Sequence, residues 1–383
     1  MLEKKITELK VGVLGGGQLG KMLSVAASSW SIDLELMDHE KGILKKGVAA
    51  RLHYGDITDY DQVLAFGRDK DVLTIEIEKV NIEALQKLKD SGVKVCPDPA
   101  SLRIIQDKLE QKMFYKERGF ETTEFYNANI PDLLKKIKSG DQSFPFVLKF
   151  RKDGYDGKGV MIIREEADLA NLPDQDYLIE EFVDIQKEIS VIAARNANGE
   201  IQCFDITEPV ADSSGFLMTS LISPANISDD LTKKIGEVSK QLISELKIEG
   251  LLAIEFMIDQ ANNLTINEVS PRPHNTGHHT IEFNSVSQFE QHWRGVLNLP
   301  LTEVTSRNFA MCINVLGPKS GSGVPDYLGL NELLSEPDIH VHLYGKKESK
   351  PNRKLGHITV IADSREALEQ KVSIVEKYFK VVV

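Results

Sequence analysis

Cysteine is scarce in this chain, and what there is does not pair. Cys96, Cys203 and Cys312 are its 3 cysteines, far apart and odd in number. They build neither a disulfide framework nor a metal site with short ligand spacing. Small core-filling thiols in a reducing compartment are expected. Positive charge is also in deficit. Lys and Arg number 46 against 58 Asp and Glu, a net charge of -12. Such a chain has no general attraction for nucleic acid or an anionic membrane, so any phosphate it binds must meet a local basic cluster. No apolar run approaches the roughly 20 residues that span a bilayer. The opening MLEKKITELK has no apolar signal core. A cytoplasmic protein without nucleic-acid or membrane partners is expected.

What is present is an ordinary globular composition. The chain has 383 residues, 41% apolar and 27% charged, which suits two or three domains. In the first segment, 1–98, short apolar strands alternate with helical spacing. Val11–Leu14 precedes GGGQLG and a helix carrying Leu19, Met22 and Leu23; Ile32–Met37 ends in Asp38; Val72–Ile75 precedes a helix marked by Ile82, Leu85 and Leu88. That alternation predicts a doubly wound parallel sheet, an α/β domain. Pro97 and Pro99 close it. Segment 99–300 reads as α+β. A helix around 106–118 precedes strand runs at 146–150, 160–164, 177–183 and 189–194, with a lid subdomain at about 120–185. A polar helix near 229–246 then leads to strands 251–258 and 264–269. A smaller domain, 301–383, carries strands near 310–315, 339–343 and 357–361 and a closing helix.

Several motifs carry chemistry. Gly15-Gly16-Gly17-Gln18-Leu19-Gly20 fits a dinucleotide fingerprint, with Asp38 ending the next strand. An NAD site, another phosphate-bearing ligand and a structural turn all fit those residues. Gly154-Tyr155-Asp156-Gly157-Lys158-Gly159-Val160 follows the strand that delivers Lys149. Glycine amides can wrap phosphate oxygens there while lysines neutralise charge; a charged hairpin is the plain alternative. Glu180-Glu181-Phe182-Val183 ends a strand and Glu188 follows. Backbone groups at such a strand end can read an adenine edge, and a nearby carboxylate can hold ribose hydroxyls.

The strongest constellation is Glu255 with Glu268. Leu252, Ile254, Phe256 and Ile258 take one strand face, so Glu255 points from the other. A turn in 260–263 places Glu255 opposite Glu268, beside Asn267. Two carboxylates on one face repel unless a cation lies between them, and hard oxygen donors suit Mg²⁺. Arg272 and His274 follow in a proline-stiffened segment, where Arg suits anion recognition. His278 and His279 match no zinc motif. Gly345-Lys346 and Arg353-Lys354 form a basic patch in an acidic chain.

In this order the motifs resemble ATP-grasp enzymes, most closely the 5-(carboxyamino)imidazole ribonucleotide synthase family of purine biosynthesis. Formate-dependent phosphoribosylglycinamide formyltransferase is a near relative. The resemblance implies an ATP-grasp fold and, by analogy, a homodimer. It implies that ATP and bicarbonate give carboxyphosphate, whose CO₂ is taken up by the exocyclic amine of 5-aminoimidazole ribonucleotide. ATP would be held by Lys108, Lys149, the Gly154–Val160 loop, Glu180 to Val183, Glu188, Asn267 and Glu268, with Mg²⁺ on Glu255 and Glu268. Arg272, His274 and Lys354 would be catalytic. Gln18, Leu19, Glu76, Asn275, Lys346, Arg353 and Lys354 would bind the ribonucleotide, its 5′-phosphate lying beside the glycine turn and its N–H groups. Two departures stand out: Lys108 replaces a frequent Arg, and Glu208 to Asp212 lacks a histidine often found there. A NAD-dependent oxidoreductase and a nucleotide-binding module without chemistry are the rival classes.

Overall fold

The computed structural model describes residues 4–152, 154, 159–211 and 218–383. Its first sheet has five parallel strands in the order Arg51–Tyr54, Asp33–Asp38, Lys10–Leu14, Val72–Ile75, Lys94–Val95. Val72–Ile75 is buried throughout, as a central parallel strand covered on both faces must be. Val11 and Val13 pack with Leu19 and Leu23 of the helix Gln18–Ser28 on one face. Leu14 packs with Phe66, Leu85 and Leu88 on the other. Strand Arg51–Tyr54 and helix Tyr60–Gly67 escaped the sequence reading; the strand is mostly exposed and polar, so it lacks the apolar signal of its neighbours.

Two antiparallel sheets follow. The lid sheet runs Phe125–Ala128, Tyr177–Glu181, Phe146–Phe150, Val160–Ile163. The body sheet runs Ile201–Cys203, Ile185–Arg195, Gly250–Asp259, Leu264–Ser270. Helices Lys108–Glu117 and Asp229–Glu245 cover one face of the body sheet, with Tyr115, Ile235 and Leu242 packed on Leu252, Ile254 and Phe256. On the opposite sheet face Ile192, Ala194, Leu251 and Ala253 pack with Phe204 and Val286.

The third sheet corrects a simple reading of the last segment as 301–383 alone. Its order is Glu208–Ala211, Met218–Ser223, Phe309–Leu316, Lys354–Ala362, Ile339–Leu343, so two strands from within 99–300 join it. Helix Arg365–Tyr378 covers it. One core ties the parts together. Trp293 of helix Gln288–Val296 and Tyr344 both sit among Leu19, Leu23, Ile43 and Leu44. The Trp293 indole N–H donates to the Leu23 carbonyl at 2.9 Å, and Lys21 Nζ donates to the Leu343 carbonyl at 3.0 Å. Cys96 and Cys312 are buried and Cys203 half-buried, all as free thiols. Among the described residues no helix is long and apolar enough to cross a membrane.

Candidate active site

The cleft is built on the hairpin Gly250–Asp259 and Leu264–Ser270. Its turn is fixed by Asp259, whose carboxylate accepts the N–H groups of Ala261 and Asn263, each at 2.8 Å. From there Ile258 pairs with Leu264 and Phe256 with Ile266, but Glu255 pairs with Glu268. The extra residue is Asn267, a bulge that lets adjacent side chains serve one site. Asn267 Oδ1 accepts from Lys149 Nζ at 2.9 Å, while Glu268 receives Lys108 Nζ. Ser190 stands opposite Glu255 and Glu188 opposite Met257 on the next strand, so Glu188, Glu255 and Glu268 share a face.

The two carboxylates differ electrically. Dehydration in the cleft, then the charges of Glu268 and Glu188, push Glu255 upward against Lys108 and Lys149. Dehydration would raise Glu268 too, but Lys108 and Lys149 hold it below the usual carboxylate range. A divalent cation would relieve that conflict. Among the described residues no group of three or more His, Cys, Asp or Glu could hold an ion alone. Two carboxylates therefore suit an ion that also takes phosphate and water oxygens, which is the habit of Mg²⁺.

The lid contributes Lys149 and Glu180. Lys149 Nζ lies 2.9 Å from Glu180 Oε2, and Lys112 Nζ lies 3.4 Å from Glu180 Oε1. These side chains are 9%, 2% and 3% exposed for Lys149, Glu180 and Lys112. The Glu180 carboxylate is thus enclosed between two lysines, and its backbone is paired with Val147 and Phe125. Its side chain pairs with both Lys149 and Lys112. Phe182 is exposed and Val183 half-exposed just past the strand, where a base could stack. Lys112 was missed by the sequence reading; burial lowers it to about 8 against the pull of Glu180. Gly159 closes the lid hairpin at φ +81, accepting from Phe150 N–H at 2.8 Å. Tyr155, Asp156, Gly157 and Lys158, and Asp212 further on, lie outside the described residues.

At the end of the hairpin, Arg272 Nε lies 2.8 Å from Glu78 Oε1, joining the body to the first sheet. His274 Nε2 lies 3.7 Å from Glu255 Oε1, and its Nδ1 lies 2.9 Å from Thr276 Oγ1. Gln288 grips the same residue, accepting from His274 N–H at 2.8 Å and donating to its carbonyl at 2.7 Å. Thr276 and Gln288 carried no sequence signal beyond polarity. His278 and His279 are buried, and burial pushes His279 down to about 3. His278 stacks on His357 with ring centres 4.7 Å apart. Both are core histidines.

The glycine turn needs correction. The Gly16 N–H donates to Asp38 Oδ2 at 3.0 Å, Gly17 N–H to Glu76 Oε1 at 2.6 Å, and Gly20 N–H to Glu76 Oε2. The amides of Gly17 and Gly20, expected to face a phosphate, are satisfied by Glu76. Gly15, at φ +105, must lack a side chain because a Cβ would collide with Glu76 Cγ. Asp38 closes the turn instead of waiting for a ribose, which removes the basis of the NAD reading. Leu19 places its side chain in the core, leaving Gln18 at the helix start. Asn275 begins the short turn Asn275–Gly277 after His274. Tyr344 brings the basic patch to this side, with Lys346 Nζ 5.7 Å from its ring centre. Arg353 Nη1 donates to the Glu348 carbonyl at 2.9 Å. Lys354 starts the strand Lys354–Ala362, near enough for its charge to depress His278.

Comparison with known proteins matches this layout in order. Profiles described as ribonucleotide synthetase preATP-grasp domain, ATP-grasp domain and phosphoribosylaminoimidazole carboxylase C-terminal domain match residues 9–106, 113–289 and 310–371. N5-carboxyaminoimidazole ribonucleotide synthase of Brucella melitensis is 34% identical over 92% of this chain and 96% of its own. The chain spans about two thirds of the fungal and plant phosphoribosylaminoimidazole carboxylases it matches, 66–67% of their length. The N5-carboxyaminoimidazole ribonucleotide synthetase structure from Thermotoga maritima superposes with a TM-score of 0.87 at 35% identity, covering 98% of this chain and 99% of that one. The Aspergillus clavatus enzyme in complex with ADP and 5-aminoimidazole ribonucleotide gives 0.84 at 26% identity, covering 97% and 99%. Fold, cleft and full-length similarity agree: the chain belongs to the N5-carboxyaminoimidazole ribonucleotide synthase family of ATP-grasp enzymes.

Proposed function

We propose that this chain is an ATP-dependent carbon–nitrogen ligase of purine biosynthesis. It carboxylates the exocyclic amine of 5-aminoimidazole ribonucleotide with bicarbonate, releasing ADP and phosphate. The observation that carries the reading is the convergence of Lys108, Lys149, Glu255 and Glu268 between the lid and body sheets, with Arg272 and His274 at its edge. Phosphoryl transfer needs positioning and charge neutralisation more than covalent help. Lys108 and Lys149 supply charge for the phosphates, the Gly154–Val160 loop covers them, and Glu181 to Val183 with Glu188 border the nucleoside. Mg²⁺, held by Glu255 and Glu268, would neutralise phosphate charge when bound.

Arg272 offers a planar donor set to bicarbonate or its phosphorylated form. The Thr276 N–H donates to His274 Nδ1 at 3.4 Å, which makes Nδ1 an acceptor. His274 Nε2 faces Glu255 Oε1 at 3.7 Å. Lys346, Arg353 and Lys354 face the ribonucleotide phosphate, and Gln18, Glu76 and Asn275 border its ribose and base. We place the enzyme in the cytoplasm as a homodimer, as the resemblance implies; sedimentation tests the assembly. ADP release from ATP and bicarbonate, with and without 5-aminoimidazole ribonucleotide, tests the activity. Release that does not depend on the ribonucleotide, or no release, refutes it.

A further inference from the structure

The most enclosed charges in the cleft are Lys112 and Glu180. Lys112 projects from helix Lys108–Glu117 with 3% of its side chain exposed. Its ammonium lies 2.6 Å from Thr122 Oγ1, 3.0 Å from Thr123 Oγ1 and 3.4 Å from the Ile266 carbonyl. It also lies 3.4 Å from Glu180 Oε1. Thr122 and Thr123 lead into the first lid strand, Phe125–Ala128. Thr122 Oγ1 donates in turn to the Ile266 carbonyl at 3.0 Å, and Ile266 N–H donates to the Glu121 carbonyl at 2.9 Å. The root of the lid is therefore stitched to the strand that carries Asn267 and Glu268. From Lys112 the contacts pass to Glu180, from Glu180 to Lys149 at 2.9 Å, and from Lys149 to Asn267 at 2.9 Å. They run from body to lid and back.

We propose that Lys112 is a positioning residue for nucleotide binding, acting through Glu180 to hold Lys149 in place and to leave Lys149 with unspent positive charge. Local charge balance requires such a partner. Glu180 alone would neutralise Lys149 and take from it the charge a triphosphate needs. Within this triad two lysines on one carboxylate leave a net charge of about +1, set against the nearby carboxylates of Glu188, Glu255 and Glu268, where screening is weak. Lys112 is too enclosed to reach a ligand, so the surplus is expressed at Lys149, which opens on Asn267 and the cleft.

The inference rests on Lys149 being a ligand of the nucleotide phosphates, and the test separates the two. ADP affinity and the Michaelis constants for ATP and 5-aminoimidazole ribonucleotide are measured for Lys149→Met, Lys112→Met and the double variant Lys112→Met/Glu180→Gln. Lys149→Met should weaken ADP and raise the ATP constant; if it does neither, the reading of Lys149 fails, and this inference with it. Lys112→Met should raise the ATP constant by roughly tenfold or more, the scale of one lost charge-assisted contact. The ribonucleotide constant should be unmoved. The double variant restores an uncompensated Lys149, because the amide that replaces the Glu180 carboxylate can still accept from it without carrying charge. ATP affinity should therefore recover most of its loss. A purely structural Lys112 would give the opposite result, the second substitution adding to the damage. An unchanged ATP constant in Lys112→Met, or a double variant as weak as the single, overturns the inference while leaving the proposed activity standing. Lys112→Gln, able to keep the Thr122 and Thr123 bonds, replaces the methionine variant should that fail to fold.

Discussion

Arg272 is expected to do two jobs, and one substitution with one rescue separates them. Its Nε lies 2.8 Å from Glu78 Oε1, across the seam between hairpin and first sheet. Dehydration alone would raise the Glu78 carboxyl, but the Arg272 charge, aided by the Ser270 hydroxyl, brings it below its ordinary value. Glu78 is therefore ionised at neutral pH and depends on Arg272 for that state. Arg272→Met leaves the carboxylate stranded. Breaking a buried pair from one side costs about 3–5 kcal/mol. Here the two side chains keep 17% and 22% of their surface, so the low end, about 3 kcal/mol, is the expected loss.

The sign of the pH dependence follows from the same pair. In the parent protein the lowered Glu78 contributes stability above its unfolded value, and that contribution fades as pH falls through the folded one. In Arg272→Met the stranded carboxyl titrates above its unfolded value, so acid relieves the variant. Between neutral pH and about 5 the variant's effect alone shrinks the difference between the two proteins, and the parent's adds to it only at lower pH. Urea unfolding followed by tryptophan fluorescence measures it, since buried Trp293 sits at this seam. Adding Glu78→Gln to Arg272→Met should recover most of the lost stability and none of the lost turnover. A variant as stable as the parent near neutral pH, or a loss that does not change with pH, refutes the pairing argument. Recovered turnover in the double variant would remove Arg272 from the chemistry.

Three further outcomes are expected. Glu268→Gln should weaken ATP in the presence of Mg²⁺ and abolish most turnover, because it removes one of two facing carboxylates; kinetics across a Mg²⁺ titration check it. Arg353→Ala should raise the Michaelis constant for the ribonucleotide by roughly tenfold, as for one lost charge-assisted hydrogen bond, with little change for ATP; a rise confined to ATP would mean the two sites are interchanged. Gly15→Ala should fold poorly or lose ribonucleotide affinity, because its φ of +105 and the nearby Glu76 side chain both exclude a Cβ; a thermal melt and a ribonucleotide titration on the same preparation report each effect.

Elements with one dominant local signal were legible in the sequence. The buried run Val72–Ile75 and the alternation of Leu252 to Ile258 each announce themselves through an apolar pattern. Register was legible where a turn fixed it, so Glu255 could be set against Glu268. The bulge at Asn267 could not be read, because an extra residue in a strand looks like any other polar residue until its partner strand is known. The strands Glu208–Ala211 and Met218–Ser223 were not read from the sequence, and chain order alone puts their residues within 99–300; only strand pairing sends them to Phe309–Leu316.

The candidate site was legible in its facing carboxylates and opaque in the groups that hold them. A lysine on a helix reads as a solvated charge, and nothing local says that Lys112 is enclosed. Gln288 at the start of a helix reads as surface, yet it is fully buried and fixes both backbone groups of His274. The glycine turn shows the converse error. Its spacing advertises amides ready for an anion, and the anion they meet is Glu76, contributed from the end of another strand. Short-range pattern reveals which backbone groups need a partner, but only the tertiary fold decides whether that partner is a ligand or the protein itself. In this chain the protein supplies it at the first turn. At Glu255 and Glu268 the conflict between two carboxylates remains for a ligand to relieve. That difference supports the proposed ATP site in the cleft between lid and body, and it leaves the glycine turn closed by Asp38 and Glu76.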